Sequence, residues 1–351
     1  MDRPPATIKG RGAADSPQGR FERLARSREA EAEIQSRPDT VVTLQPARSI
    51  IARNDSPDLP FSQSINPYQG CEHGCIYCYA RPSHAYLGLS PGLDFETKLF
   101  AKANAAELLR KELSRPGYRC ELISLGANTD PYQPIEREHR ITRGILEVLW
   151  EFRHPVGIVT KGSLIERDLD LLQPMACEGL VQVFISIGSL DGEIARTLEP
   201  RAAAPFRRVE TIRRLSGSGV PCGVLVAPII PFLNDKDMEA VLEAVSEAGA
   251  RMAGYTVLRL PWEVKDLFKD WLERHYPLKA KHVMARIRDM RGGRENDPEF
   301  GSRMRGEGQF AELLRDRFGI ACRRLGLNAE KRSQLDASKF RRPGPQQGAL
   351  F

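Results

Sequence analysis

Six short apolar runs, over residues 64–66, 121–125, 156–160, 181–187, 223–227 and 254–258, alternate with amphipathic stretches through the middle of this 351-residue chain. No other feature restricts the fold as much. The intervening stretches "KLFAKANAAELLRKEL", "RITRGILEVLWEF", "ERDLDLLQP", "FRRVETIRRLSGSG" and "DKDMEAVLEAVSEAG" carry apolar residues at helical spacing, and Asp235 is a candidate N-cap for the last. Strands joined by helices lie parallel, because the crossover returns the chain to the same edge of the sheet. Periodicity alone leaves open whether such a sheet stays flat and open or curls into part of a barrel. Both arrangements bind ligands beyond the C-terminal ends of the strands. That rule directs attention to five polar loops: "GANTDPYQPIE", "TKGSLIERD", "SIGSLDGEIARTLEPRAAAP", "APIIPFLND" and "RLPWE".

The flanks differ from this middle. Residues 1–58 are rich in Pro, Arg, Asp and Glu and are expected to form a mobile, disordered leader, with a short helix at "FERLARSREAEAEIQ" and a strand at "TVVTLQ" as its only candidate elements. Residues 59–280 form the expected core domain, within the size of one hydrophobic core. Residues 281–351 form a basic, partly helical extension whose end, "SKFRRPGPQQGALF", is expected to be disordered; they hold 16 basic and 9 acidic side chains. Their excess of seven positive charges is larger than the net +6 of the whole chain. Such a localised excess suits DNA or RNA, and equally a solvated helix face. No apolar run is long enough to span a bilayer, and "MDRPPATIKGRG" lacks the layout of a signal peptide. The expectation is a cytoplasmic protein with no membrane partner.

Seven cysteines, an odd number, favour metal or reactive thiols over disulfide staples. Three of them, Cys71, Cys75 and Cys78, fall within "NPYQGCEHGCIYCYARPSH" at C-x3-C-x2-C spacing. A short loop of this kind brings three thiolates toward one centre, which soft metals and iron–sulfur clusters reward. A structural zinc site wants four ligands, for which His73 and His84 are the nearby candidates. Three unligated core cysteines are the plain alternative, at odds with the polar, glycine-containing segment.

The spacing, with Tyr77 just before the last cysteine and the whole following a first strand, resembles the signature of radical S-adenosylmethionine (radical SAM) enzymes. "INPYQGCEHGCIYCYAR", "TDPYQPIE", "LEPRAAAP" and "VAPIIPFLND" resemble more narrowly the branch containing spore photoproduct lyase and its uncharacterised, DNA-repair-photolyase-like relatives. The resemblance implies an α/β fold of the partial (β/α)6 TIM-type barrel kind. It implies a [4Fe–4S] cluster on Cys71, Cys75 and Cys78, with one iron open to S-adenosylmethionine, and a flavodoxin- or ferredoxin-like electron donor. It implies further that Tyr77 packs against adenine, that Asn128, Thr129 and Asp130 lie near the methionine amino group, and that Lys161 pairs with the methionine carboxylate. Ser186 falls near the ribose, Glu199 follows in "LEPR" as a further cofactor-binding candidate, and Ala227 and Ile229 fall near adenine. Each has an ordinary alternative: a turn cap in "TDPY", a solvated lysine, an internal Glu199–Arg201 contact. One departure matters. Spore photoproduct lyase returns hydrogen from a cysteine after the second strand, where this chain has Ala127; Tyr132 in the same loop is a substitute radical carrier or a packing residue. Cys120, Cys177, Cys222 and Cys322 are not evident hydrogen donors. The function implied is hydrogen abstraction by a 5′-deoxyadenosyl radical from a substrate that these residues do not name, with nucleic acid as a candidate. The alternative is a non-catalytic nucleic-acid-binding protein stabilised by zinc or an iron–sulfur group.

Overall fold

The computed structural model describes residues 7–21, 38–329 and 335–343. Among the described residues there are ten strands: β1 (Val41–Leu44), β2 (Ile51–Arg53), β3 (Gln63–Ile65), β4 (Tyr68–Gln69), β5 (Lys98–Ala101), β6 (Ile123–Leu125), β7 (Val156–Thr160), β8 (Val181–Ser186), β9 (Cys222–Ile229) and β10 (Met252–Val257). The six expected strands are β3 and β6 to β10, all parallel, in the order β10-β9-β8-β7-β6-β3, with β2 antiparallel on the outer edge of β3.

That order decides what periodicity left open. Successive strands always step in the same direction, so there is no reversal point of the doubly wound kind. Helices Ala105–Leu113, Ile141–Glu151, Leu169–Cys177, Pro205–Gly217 and Met238–Glu247 provide the crossovers. Among the described residues β10 does not pair with β2 or β3, so the barrel is partial. Val181, Val183, Ile185, Val224 and Val226 join Ile145, Leu149, Met175, Ile212, Leu215 and Val241 in one continuous core. Their β-branched side chains suit a pleated sheet covered by helices.

Several sequence expectations need correction. The stretch 98–113 is not one amphipathic helix. Leu99 and Ala101 are buried while Lys98 and Phe100 are not, a period of two that forms β5 between β1 and β4 in a small second sheet. Asp235 does not cap the following α-helix, which starts at Met238 after a 3-10 turn over Asp235–Asp237. A helix at Val264–His275 was not expected, although Val264, Leu267, Phe268, Trp271 and Leu272 fall on one helical face. It packs with Pro277–Asp289 in a second core that also contains Ile76 of the cysteine loop and Ala13 near the N-terminus. The helix Pro277–Asp289 runs across residue 280, and Gly308–Leu325 lies against Met238–Glu247 through Arg317–Glu239 and Arg324–Glu243 pairs.

The described parts of both flanks are seated. The expected strand near residue 41 is β1; the expected helix over 21–35 lies outside the described residues beyond Phe21. At the other end Arg341 N donates to Phe152 O at 3.0 Å, and Phe340 packs against Phe152, Tyr118 and His154. Residues 344–351 lie outside the description.

His154 in this cluster has a consequence for acid stability. It is fully buried, with Nε2 at 2.7 Å from the Tyr118 hydroxyl, and burial pushes its pKa down to about 4. Folded, the ring stays neutral to about pH 4; unfolded, it takes its proton near pH 6.5. Its contribution is complete above pH 6.5 and is lost as the pH falls toward 4, by about 3 kcal/mol at ~1.4 kcal/mol per pH unit. Urea titrations at pH 7 and pH 4.5 are expected to show a smaller acid loss for His154→Gln than for the unmodified chain. Equal losses would contradict this.

Candidate active site

The cysteine loop begins where β4 ends. Gly74 sits at φ +66°, a left-handed turn that brings its carbonyl against the N-terminal segment; a Cβ on Gly12 would lie 1.9 Å from that oxygen. Beneath the loop Arg81 is fully buried and donates to Cys75 O at 2.8 Å, Gly74 O at 3.1 Å and Glu96 Oε1 at 2.5 Å. Glu96 in turn accepts from Gly12 N and Ala13 N at 3.0 and 2.9 Å. Above the loop Ile76 N donates to Leu198 O, and Arg201 N to His73 O. The turn carrying the three cysteines is thus held from below by the Arg81 side chain and from above by backbone bonds.

Cys71 and Cys75 are buried, and Cys78 is partly buried. Burial, Asp130 and the two other thiols all raise the pKa of Cys71. Burial pushes Cys75 up to about 12, with Lys161 opposing. Cys71 and Cys75, both disfavoured as thiolates, share one loop with Cys78, and together the three form a donor set that a positively charged centre would relieve. This fits an iron–sulfur cluster. Among the described residues no three His, Cys, Asp or Glu side chains are gathered closely enough to hold a metal ion as they stand. The two candidate fourth ligands are engaged elsewhere: His73 Nδ1 lies 3.3 Å from Asp130 Oδ2, and His84 Nε2 lies 2.9 Å from Lys98 O.

The loops after the strands meet beside these thiols. Asp130 accepts from Thr160 Oγ1 at 2.6 Å and from the Lys161 amide at 2.7 Å. Burial alone would raise its pKa, but His73 and these donors hold it at about 2. Asp130 therefore ties the cysteine loop to the end of β7. Thr129 is buried with its hydroxyl on Tyr68 O, while Asn128 is exposed; both backbone amides donate to Asn66 Oδ1. The Lys161 ammonium lies 5.9 Å from the centre of the Tyr77 ring. Burial works against its charge, but Cys75 and Glu199 face it and raise its pKa. No carboxylate among the described residues lies within ion-pair distance of it.

Glu199 does not pair with Arg201, which reaches Glu72 at 2.8 Å instead. Both Glu199 oxygens are taken, one by the Tyr77 hydroxyl and the other by Arg208, itself buried and donating to Ser186 O at 2.9 Å. Ser186 Oγ donates to Ala227 O at 3.2 Å. One chain of contacts thus runs Tyr77–Glu199–Arg208–Ser186–Ala227. Ile229 is fully buried in the main core. Tyr132 is buried with its hydroxyl on Asp168 at 3.1 Å, a packing position, and the Ala127 carbonyl accepts from the Tyr79 hydroxyl.

Sequence reading missed Arg208, Arg81, Asn66 and Asn234, whose side chain holds the loop after β9 through Ile230 N, Gly188 O and Pro228 O. Asn66 directly follows a strand, which was a usable signal. The arginines carried none, because a helical pattern marks a face and not its distant partner.

A family model described as the radical SAM superfamily matches residues 65–245, just over half of the chain. The chain belongs to the radical SAM superfamily. The uncharacterized protein Rv2578c of Mycobacterium tuberculosis (strain ATCC 25618 / H37Rv) is 39% identical over 236 residues, covering 66% of this chain and 68% of that one. The uncharacterized protein MJ0683 of Methanocaldococcus jannaschii is 26% identical over 213 residues, covering 61% and 76%. A spore photoproduct lyase complexed with dinucleoside spore photoproduct superimposes with a TM-score of 0.58 at 17% identity, over 82% of this chain and 80% of that one. At that identity the likeness shows a shared radical SAM fold. The family implies S-adenosylmethionine and a [4Fe–4S] cluster as cofactors, and radical SAM chemistry as the activity. Among the described residues no helix is long and apolar enough to cross a membrane.

Proposed function

We propose that this chain is a radical SAM enzyme in which Cys71, Cys75 and Cys78 hold the [4Fe–4S] cluster, reduced by a flavodoxin- or ferredoxin-like donor in the cytoplasm. The observation that carries this is the three-thiol loop facing Lys161, a cation with no ion-pair partner among the described residues, across the mouth of a partial barrel. When bound, the reduced cluster supplies the electron that splits the sulfonium of S-adenosylmethionine into methionine and a 5′-deoxyadenosyl radical. The chain's own residues do the positioning. Lys161 pairs with the methionine carboxylate, and Asn128, Thr129 and Asp130 shape the side of the pocket near its amino group. Tyr77, fixed by Glu199 and Arg208, offers its ring to the adenine, and Ser186, Ala227 and Ile229 complete that wall.

Anaerobic reconstitution is expected to load about four irons per chain and to release 5′-deoxyadenosine on reduction, with Cys75→Ala abolishing both. Tight zinc binding without a cluster would overturn the assignment and favour the non-catalytic reading. That reading gives no reason for Lys161 and Asp130 to be brought from different strands to the cysteine loop.

For the substrate we propose a nucleic acid, supported by the shared fold with a lyase solved with a dinucleoside photoproduct. The same lesion is not proposed, since Ala127 supplies no thiol. The basic C-terminal region gives less support than its charge suggests. Arg288 pairs with Glu295, Arg303 with Asp58, Arg317 with Glu239 and Arg324 with Glu243.

A further inference from the structure

One guanidinium without a carboxylate partner and several exposed rings lie close to the cysteine loop. Arg259 follows β10 and is partly buried; its Nε has no hydrogen-bond acceptor, and its closest polar contact is Nη1 to Met304 Sδ at 3.8 Å. No carboxylate among the described residues lies within ion-pair distance of it. The charged groups around it are already satisfied. Asp58 takes Arg303 and Gly301 N, while Asp297 takes Ser302 Oγ and Glu299 N. Burial and the like charge of Arg303 both press against its guanidinium. The group stands 5.8 Å from the ring of Tyr79, the residue after Cys78. An unpaired, partly desolvated guanidinium beside the cysteine loop is a position that an anion would stabilise.

Three residues further on, Trp262 is 62% exposed and held at φ +46°. A bulky side chain in the left-handed region is strained, and such strain persists where the surrounding structure imposes it, often at binding sites. The Arg20 guanidinium lies 4.3 Å from the centre of the Trp262 ring, and 5.1 and 5.3 Å from Phe21 and Tyr86, which are 55% and 70% exposed. Arg20 is anchored in turn by Glu263 and the Pro82 carbonyl, both at 3.5 Å. The result is a ledge of exposed rings gathered around one guanidinium, between the 3-10 helix Arg81–Leu87 and the loop after β10.

We propose that the loop after β10 is a nucleotide subsite of the substrate pocket, in which Arg259 pairs with a phosphate of a single-stranded polynucleotide and Trp262 stacks on a base. The proposal rests on the nucleic-acid reading above and assigns it to the mouth in place of the C-terminal tail. Three residues of extended chain reach at most about 10 Å, so phosphate and base belong to the same or adjoining nucleotides. Flat exposed rings interleaved with guanidinium groups are the means by which proteins hold single strands without reading their sequence. An aliphatic groove, which would suit a protein helix, is not what these residues form.

The test uses the full-length chain and a fluorescein-labelled oligothymidylate, titrated at several salt concentrations, with thymidine monophosphate as competitor. Arg259→Ala is expected to weaken binding and to reduce the slope of log affinity against log salt by about one. Trp262→Gly, at a backbone position that suits glycine, is expected to fold at least as stably, to weaken binding about 5- to 160-fold and to leave the slope unchanged. Trp262→Phe should restore most of the affinity. Unchanged binding in both Arg259→Ala and Trp262→Gly overturns the subsite alone, as does a loss of slope found only in the tail variant Arg323→Ala. No binding by the unmodified chain overturns the nucleic-acid reading and the subsite together, while leaving cluster loading and cofactor cleavage untouched. Competition by thymidine monophosphate at equal strength overturns the polynucleotide form of the proposal.

Discussion

Replacing Arg81 with leucine is expected to cost the folded chain about 3–5 kcal/mol, the range for breaking a buried ion pair by removing one partner. Neither Arg81 nor Glu96 has any exposed side-chain surface. Without the guanidinium, the Glu96 carboxylate keeps only the Gly12 and Ala13 amides, and the carbonyls of Gly74, Cys75, Pro91 and Gly92 lose their shared donor. Two of these carbonyls belong to the cysteine loop, so the loss should also speed the labelling of Cys71 and Cys75 by a thiol reagent. Glu96→Gln added to Arg81→Leu is expected to recover part of the stability, because it removes the stranded charge and keeps an acceptor for the amides. The measurement is the urea midpoint at constant slope. A single variant within 1 kcal/mol of the unmodified chain would show that this pair does not hold the loop.

Gly126→Ala is the second substitution expected to have a large effect. Gly126 ends the run after β6 at φ +92°, and a Cβ there would lie 2.4 Å from Val159 O and 2.7 Å from the Pro131 ring. Left-handed backbone costs an L-residue roughly 1–2 kcal/mol, and overpacking adds about 1–3 kcal/mol. The sum is about 2–5 kcal/mol. Relief requires the loop over 127–131 to move away from β7, which pulls Asp130 off Thr160 and the Lys161 amide. Affinity for S-adenosylmethionine, measured by calorimetry on the reconstituted protein, should fall with stability. Gly117→Ala is the control: its Cβ would meet nothing within 4 Å, and it should be neutral. Equal effects at the two positions would show that the close approach at Gly126 is unimportant.

What could be read beforehand follows from how far each signal reaches along the chain. The six barrel strands were legible because each is a local run of buried residues with a helix after it. The cysteine spacing was legible because three ligands within eight residues need only a turn. Periodicity alone did not choose the barrel, since that depends on which strands pair; the resemblance carried by the cysteine motif did, while β5 was hidden because four alternating residues lie against a helical pattern. Val264–His275 was readable from its spacing alone. Arg208 and Arg81 were out of reach: each is a charged residue in an apolar interior, explained only by a carboxylate brought to it by the fold. The same holds for Gly12 and Ala13, whose setting suggests disorder and whose amides nonetheless end on Glu96, more than eighty residues away.

The seat of the N-terminal segment also sets an order of assembly. Arg20 is held by Glu263, 243 residues later, and Gly12 rests on a turn that has itself to be fixed first. Contacts so distant in sequence form late. On a ribosome Arg20 emerges long before Glu263 and waits without that partner while the barrel strands are made. Gly12 and Ala13 can close over the cysteine turn once Glu96 is in place, but Arg20 is fixed only after the last barrel strand has been made.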